Sequence, residues 1–182
     1  MAELRCGAGV TVSAQKDADL LLGLFGDARL VLKVGRQMEA AIIDNNTVRI
    51  YDGIVISKGR DMHNPANTYD DFTIETGTQN VTRYDIIGYH LHKSDGKELC
   101  ENFVRKGVAE DEIIEEESLR DGADEAYVSM YRVKIEGLTI TELIPLYTKI
   151  QTPLMGLQNQ ITGGTAEPSG GEDNDVYIQY ES

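Results

Sequence analysis

The stretch TVRIYDGIVISKGR, residues 47–60, has the alternating pattern of a β-strand. Val48 and Ile50 alternate with polar or amphipathic neighbours, so that one face is apolar and the other meets water. Asp52-Gly53 is typical of a type I′ turn, because glycine tolerates a positive φ angle there. The stretch DFTIETGTQNVT, residues 71–82, predicts a further strand. We therefore expect a β-hairpin that turns at Asp52-Gly53 and continues into more sheet.

Further strand signals flank the opening hairpin. Residues 30–34 and 39–43 predict strands, with a turn at 44–46, and residues 63–68 predict a loop because Asn64-Pro65 favours a turn. Segments 84–92 and 98–106 flank the turn sequence KSDGK and predict a second hairpin.

Two more strands, residues 126–137 and 138–150, meet at Glu136-Gly137, and Pro145 restricts its strand to an edge or a bulge because proline cannot donate to a ladder. The expected fold is mainly β, with about eight strands in antiparallel hairpins that form a sandwich or a partly open barrel.

A short amphipathic helix is expected near the beginning of the chain. Ser13 can cap it, Gly26 can end it in a left-handed conformation, and five residues share one face: Ala14, Ala18, Leu21, Leu22 and Phe25. This face can pack on the chain's own sheet, which we favour, or dock on a neighbouring subunit. In the second case Leu21, Leu22 and Phe25 are the contact residues.

The composition changes after residue 152. Residues 154–161 predict a short helix, and residues 163–175 form a glycine-rich, acidic segment that predicts a flexible linker. The sequence VYIQY, residues 176–180, then alternates like a strand. Such a strand can pair with its own sheet or with another subunit. Its expected contact residues are Val176, Tyr177, Ile178 and Tyr180. We expect an attachment segment at 1–43, a β domain at 44–151 and a linker with a terminal strand at 152–182.

The charge of the chain restricts its partners. Its 182 residues include 31 acidic and 17 basic side chains, which gives a net charge of −14. Such a surface repels nucleic-acid phosphates and anionic membranes, so we expect neither as a partner. No targeting segment is evident, which predicts synthesis in the cytoplasm. Cys6 and Cys100 predict reduced thiols in core or half-buried positions.

Few residues suggest chemistry. His90 and His92 stand two apart on a predicted strand and therefore share a face, where a metal would need an added carboxylate. The spacing indicates no third ligand, so we expect side chains on the wet or lightly packed face of a hairpin. The acidic run at 110–117 lacks the pattern of a calcium loop and predicts a solvated charged loop. Arg83 and Asp85 predict a structural ion pair or a cap on the preceding turn. We expect no catalytic residue, cofactor or metal.

Several segments resemble a module of phage tail and baseplate proteins. The similarity lies in NNTVRIYDGIVISKGR (45–60), YDDFTIETGTQNVTRYDIIGYH (69–90) and YRVKIEGLTITELIPLYT (131–148). The leader VTVSAQKDADLLLGLFGDARLVLKVG (10–35) and the ending GTAEPSGGEDNDVYIQYE (164–181) are similar as well. These proteins belong to phages and prophages of Gram-positive bacteria. The acidic insert at 109–125 departs from the pattern.

The resemblance implies a non-enzymatic virion protein of a tail tip, baseplate or fibre. Its expected partners are copies of itself, as a trimer or hexamer, and other tail or baseplate proteins. An alternative is a carbohydrate-binding module for receptor recognition, in which tyrosines on a sheet face contact cell-wall sugars. A wall-degrading enzyme is a third possibility, but no acid–base pair is distinguished by its environment.

Overall fold

A computed structural model describes residues 13–112, 114, 117–150, 161–164 and 176–179. The chain forms two compact units, Met1–Lys149 and Ile150–Ser182. The first unit contains one α-helix, one short 3-10 helix and nine strands within its described residues. The bounds are α1 Ala14–Phe25, β1 Leu30–Val31, β2 Ala40–Asp44, β3 Thr47–Ser57, β4 Arg60–Thr73, β5 Thr82–Ser94, β6 Lys97–Val108, the 3-10 helix Leu119–Asp121, β7 Glu125–Glu136, β8 Thr139–Pro145 and β9 Thr148–Lys149.

Two sheets build the first unit. In the first sheet, β3 pairs with β4 on one side and with β2 and β1 on the other, and β9 adds to β1 in parallel. The second sheet is antiparallel, in the order β6–β5–β7–β8. This arrangement confirms the predicted mainly-β fold with sandwich character.

The core lies between the inner faces of the sheets. Alternation places apolar side chains on these faces, as in β3, where Val48 and Ile50 are fully buried. Phe72 of β4 meets Tyr89 of β5 edge to face, with ring centroids 6.3 Å apart. Other members come from the two sheets and the residues beside their strands. Val31 and Val55 lie in the first sheet, with Met38 before β2 and Ile74 after β4, and the second sheet contributes Ile87, Val128, Met130, Val133 and Ile135.

Side chains join β4 to β6, the edge strand of the second sheet. Arg60 of β4 bonds both carboxylate oxygens of Glu98, with its Nε 2.7 Å from Oε2. Lys106 of β6 forms an ion pair with Glu75, just after β4. On the neighbouring strand β5, the Tyr89 hydroxyl donates to Asp70 of β4 at 3.2 Å. This seam of polar contacts connects the two sheets along one side.

The predicted turn at Asp52-Gly53 is wrong. Both residues lie inside β3, where the pairing with β4 shifts between Tyr51 and Gly53. The chain turns instead at Lys58-Gly59, whose φ angles of 45° and 78° fit a type I′ turn. A Cβ on Gly53 would lie 2.6 Å from the Met38 nitrogen, so glycine serves a close backbone approach there.

The loop predicted at 63–68 is also wrong. β4 runs through it, with His63 opposite Ile54 and Asn64 opposite Gly53, and pairing resumes at Tyr69. The intervening residues bulge out of the ladder, and the Thr68 hydroxyl donates to the Pro65 carbonyl at 2.7 Å. The turn signal of Asn64-Pro65 therefore marks a bulge within a strand.

The other local signals agree with the structure. Asp95-Gly96 turns between β5 and β6 with φ angles of 50° and 73°, and Gly137 turns between β7 and β8. The Asp44 carboxylate accepts from the Asn46 N–H in the predicted turn at 44–46. Pro145 ends β8, an edge strand. The first predicted strand is shorter than expected, with Leu30 and Val31 alone.

Helix α1 packs on the hairpin turn of the first sheet. The Ser13 hydroxyl accepts from the Lys16 N–H, which confirms the predicted cap. Ala18 is buried, and its carbonyl oxygen would lie only 2.6 Å from a Cβ on Gly59. Gly26 has φ 69° but ψ −163°, so it ends the helix outside the left-handed helical region that we predicted.

The second unit contains two described strands, β10 Ile161–Gly164 and β11 Val176–Gln179. They pair in parallel, with Ile161 opposite Val176 and Gly164 opposite Gln179. The terminal strand is thus present, paired within its own unit. Ile161 belongs to a strand, and the rest of the helix predicted at 154–161 lies outside the described residues. Of the predicted linker, Gly163 and Gly164 lie in β10, and residues 165–175 lie outside the description.

Candidate functional site

A cluster of ionisable side chains lies on the outer face of the second sheet. His90 and His92 project from β5 on this face, as their spacing predicted. Glu101 of β6 lies directly opposite His90, and β7 places Tyr127 beside His90 and Glu125 beside His92. Three neighbouring strands therefore bring two imidazoles and two carboxylates to one surface, which we call the histidine face.

The geometry of the histidine face is compact. One ligand-type atom from each of His90, His92 and Glu101 lies within 4.8 Å of the others. The His90 Nε2 lies 3.0 Å from the Glu125 Oε2. The His90 ring stacks on Tyr127 at 4.5 Å and on His92 at 4.9 Å between centroids. The rings are thus held by stacking, and His90 also by a carboxylate.

The structure brings Glu101 close to both histidines, although their spacing along one strand indicated no third ligand. A two-residue turn at Asp95-Gly96 pairs Ser94 with Lys97. Four residues further from the turn on each strand, the same register pairs His90 with Glu101. The turn sequence carried this signal. The contribution of Glu125 depends on the pairing of β5 with β7, for which no local signal exists.

The acidic segment that follows β6 covers part of the same outer face. Ile114 is buried there against Ile86 and Val108. The Arg132 side chain donates to the Glu112 carbonyl at 2.6 Å and ties the segment to β7. The acidic side chains described in this segment are exposed, as predicted for a solvated charged loop, whereas the apolar Ile114 is buried; they are Glu110, Asp111, Glu112 and Glu117.

A cavity of about 250 Å³ separates this segment from the sheet. Three carboxylates contribute to its lining, and Arg105 is the one cation among the lining residues that the structure describes. The lining consists of Arg105, Glu112, Ile114, Glu117, Glu125, Ala126 and Tyr127. The cavity therefore adjoins the histidine face through Glu125 and Tyr127, and the acidic residues in its wall outnumber the one basic residue.

The predicted contact residues of the helix are half-buried. Leu21, Leu22 and Phe25 all have intermediate exposure, whereas Leu20 and Leu24 are 39% and 63% exposed. The sequence analysis did not single out these last two. The signal for them in the sequence was that the apolar residues of α1, with Leu20 and Leu24 included, cover a broader arc of the helix than the predicted face. Of the residues predicted in the terminal strand, Val176, Tyr177 and Ile178 lie in β11, and Tyr180 lies outside the described residues.

Cys100 is exposed on β6, which corrects the predicted core or half-buried position. Partial desolvation of the thiol, together with the nearby Asp70 and Glu101 charges, raises its pKa to about 11. A thiol with such a pKa is a weak nucleophile near neutral pH. Cys6 lies outside the described residues.

The structure confirms the ion pair between Arg83 and Asp85. The Arg83 Nε and a terminal nitrogen contact the two Asp85 oxygens at 2.9 and 3.0 Å. The Asp85 carboxylate also accepts from the Gly107 N–H at 2.9 Å. Its partners lie on β5 and β6 of the second sheet, so its role is structural.

Tyrosines that could contact sugars are few on the described surface. Tyr69 is 50% exposed, and Tyr51 lies opposite it across β3 and β4. The Arg49 guanidinium covers one face of the Tyr69 ring at 3.4 Å, and Arg36 covers Tyr51 at the same distance. The carbohydrate-binding alternative stays a prediction, with this tyrosine pair as the place to test it.

No protein-family model matches the chain, and no curated protein matches it. Within the parts of the chain that the structure describes, no helix combines the length and apolar character needed to cross a membrane.

Proposed function

We propose that this chain is a non-enzymatic structural protein of a phage virion, located in a tail tip, baseplate or fibre. It works by burying surface against copies of itself and against neighbouring tail proteins. The resemblance of segments 45–60, 69–90 and 131–148 to tail and baseplate modules supports this proposal. The mainly-β fold is compatible with it.

The two-stranded sheet that the structure describes in the second unit carries the proposal. β10 and β11 each have four residues, and they form a two-stranded parallel sheet with no third strand among the described residues. A two-stranded sheet is at best marginally stable alone, and parallel sheets usually have covered faces. Strand addition by a second copy of this unit completes the sheet and creates a subunit contact.

The outer flank of helix α1 provides a second contact. Ala18 lies at the centre of the face that packs on the first sheet, and Leu20 and Leu24 extend the apolar arc beyond this packing. Spaced four apart, these two leucines are neighbours on the helix surface. Burying them against another subunit removes apolar area from water.

A proline scan of the second unit tests the proposal. Ile178→Pro removes a backbone donor from β11, whereas Ser169→Pro adds a proline outside both strands. We expect the full chain and the Ser169→Pro variant to form the same trimer or hexamer in size-exclusion chromatography with light scattering. We expect Ile178→Pro to shift this oligomer towards the monomer.

Removal of residues 165–182 provides a second test of the same contact. This deletion removes β11 entirely. We expect it to shift the oligomer towards the monomer, as the Ile178→Pro variant does. If both variants form oligomers with the same number of subunits as the full chain, the proposed role of β11 is contradicted.

A further inference from the structure

We propose that the hairpin of β5 and β6 carries a binding site for one divalent transition-metal ion, of which Zn²⁺ is the representative, with His90, His92 and Glu101 as ligands. This inference is independent of the assembly proposal, because all three residues belong to one hairpin of one chain.

The donor set suits such an ion. Imidazole nitrogens bind Zn²⁺, Ni²⁺ and Cu²⁺ well, and a single carboxylate completes the three-ligand set of many open zinc sites. Calcium and magnesium prefer sites made of oxygen atoms alone. Two histidines and one glutamate therefore select a transition metal over the cations that acidic surfaces attract.

The spacing of the ligand atoms is within reach of coordination. The three atoms lie within 4.8 Å of one another, and the ligand atoms of a tetrahedral zinc site lie about 3.3 Å apart. Small side-chain rotations close this difference. Paired strands hold the backbone positions, because His90 and Glu101 are directly opposite and His92 lies one step along the same face.

The surroundings of the two rings fit metal ligands. When Glu125 accepts a hydrogen bond from the His90 Nε2–H, the neutral ring keeps a lone pair on Nδ1. A carboxylate behind a ligating histidine is a common orienting partner in metal sites. The His92 Nδ1 is buried and has no hydrogen-bond partner among the described residues. A metal ion would satisfy this nitrogen.

The local charge also favours a cation. Glu112, Glu117 and Glu125 line the cavity beside the histidine face, opposed there by Arg105. The whole chain carries a net charge of −14. Glu101 is exposed, so water from the solvent can reach the site and supply the remaining coordination position of a three-ligand site.

Calorimetric titration of the full chain with Zn²⁺, without added chelating thiols, tests the site. We expect one ion per chain in the wild-type protein, and at least about tenfold weaker binding in His92→Gln and Glu101→Gln, because each loses one ligand. His63→Gln is the matched control, since His63 lies on β4 of the other sheet and its loss should leave the affinity unchanged.

Two further measurements keep the test decisive. Titration with Ca²⁺ should show no binding at concentrations at which Zn²⁺ saturates the site. Co²⁺ should give the visible spectrum of a low-coordinate nitrogen and oxygen site, without a thiolate charge-transfer band. Circular dichroism of each variant establishes that it is folded.

Three results of the Zn²⁺ and Co²⁺ measurements would overturn the inference. They are an absence of Zn²⁺ binding, equal affinity in His92→Gln and His63→Gln, and a thiolate band that places the metal on a cysteine. Ca²⁺ binding as tight as Zn²⁺ binding would also overturn the inference, because it would indicate a site made of carboxylates alone.

Discussion

Asp85 carries a negative charge into the interior of the second sheet, where its exposure is 0%. Arg83 neutralises this charge with two hydrogen bonds, and the Gly107 N–H donates a third. Gly107 lies in the bulge where β6 departs from regular pairing with β5. The buried carboxylate therefore supplies an acceptor for a backbone donor that the ladder does not satisfy.

Replacement of Asp85 by alanine should be strongly destabilising. It leaves the Gly107 N–H without its acceptor and the Arg83 guanidinium without its counterion, which costs about 3–5 kcal/mol when one partner of a buried pair is removed. Asp71→Ala is the control, because the Asp71–Arg49 pair is partly exposed and is worth about 0–1 kcal/mol. Urea unfolding measures both free energies, and similar losses in the two variants contradict this account.

The seam between β4 and β6 should make stability depend on acid pH. The hydrogen bonds from Arg60 hold the pKa of Glu98 below its ordinary value of 4.5, despite the opposing effect of burial. A carboxylate with a lowered folded-state pKa contributes stability above the unfolded value. This contribution is lost as the pH falls through the folded-state pKa.

Thermal unfolding of Glu98→Gln measures this dependence. We expect its Tm to lie further below the wild-type Tm at pH 6 than at pH 3, because the stabilisation from the lowered Glu98 pKa is complete above the ordinary value of 4.5 and declines below it. Exposed Asp27→Asn serves as the control and should show no such change. A gap between Glu98→Gln and wild type that is the same at both pH values refutes the role of the seam.

At the scale of secondary-structure elements, strand β3 shows where local sequence signals mislead. Asp52-Gly53 has the composition of a hairpin turn, but the strand continues because Val55 and Ile56 beyond it are also buried in the core. Gly53, with φ 156°, instead admits the backbone of Met38. Glycine after aspartate fits both a hairpin turn and a strand bulge. Only the contact with the distant segment around Met38 decides between these two structures.

Substitution of Gly53 by alanine should therefore destabilise the fold. The added Cβ meets the Met38 nitrogen at 2.6 Å, and we expect a loss of about 1–3 kcal/mol from overpacking. Gly23→Ala in α1 is the opposite control. It meets nothing within 4 Å and should stabilise the chain by about 0.5–1 kcal/mol through helix propensity. Chemical denaturation distinguishes the two, and a neutral Gly53→Ala contradicts the packing argument.

Much of the fold was predictable because its signals are local. The Ser13 cap, the Asp95-Gly96 turn and the alternation of Phe72 and Ile74 all follow from neighbouring residues. The pairing of His90 with Glu101 was predictable as well, from the turn that fixes the register. The burial of Ile114 and the approach of Glu125 were not, because they depend on contacts across the second sheet.

Helix α1 offers a test that separates stability from association. Leu24 is 63% exposed, so Leu24→Ser should change the unfolding free energy by no more than about 0.5 kcal/mol while weakening association between copies. Half-buried Leu22 is the matched position, where Leu22→Ser should lower the stability itself. Light scattering and thermal unfolding give both quantities. Unchanged association in Leu24→Ser removes the helix flank from the proposed contacts.

At the scale of the whole molecule, the charge opposes the association that we propose. Each chain carries a net charge of −14, so copies repel one another at low ionic strength. Salt screens this repulsion over about 10 Å at 0.1 M. Association must then arise from local contacts, namely strand addition at β11 and burial of Leu20 and Leu24. We expect the oligomer to strengthen as salt rises from about 0.02 to 0.3 M.

Sedimentation equilibrium of the full chain over a wide concentration range tests self-association most directly. One chain has a mass of 20.1 kDa. We predict a closed oligomer of three or six chains at 0.15 M salt, whose mass does not increase further with concentration. A mass of one chain at every concentration would contradict the claim that this protein works through contacts between its copies.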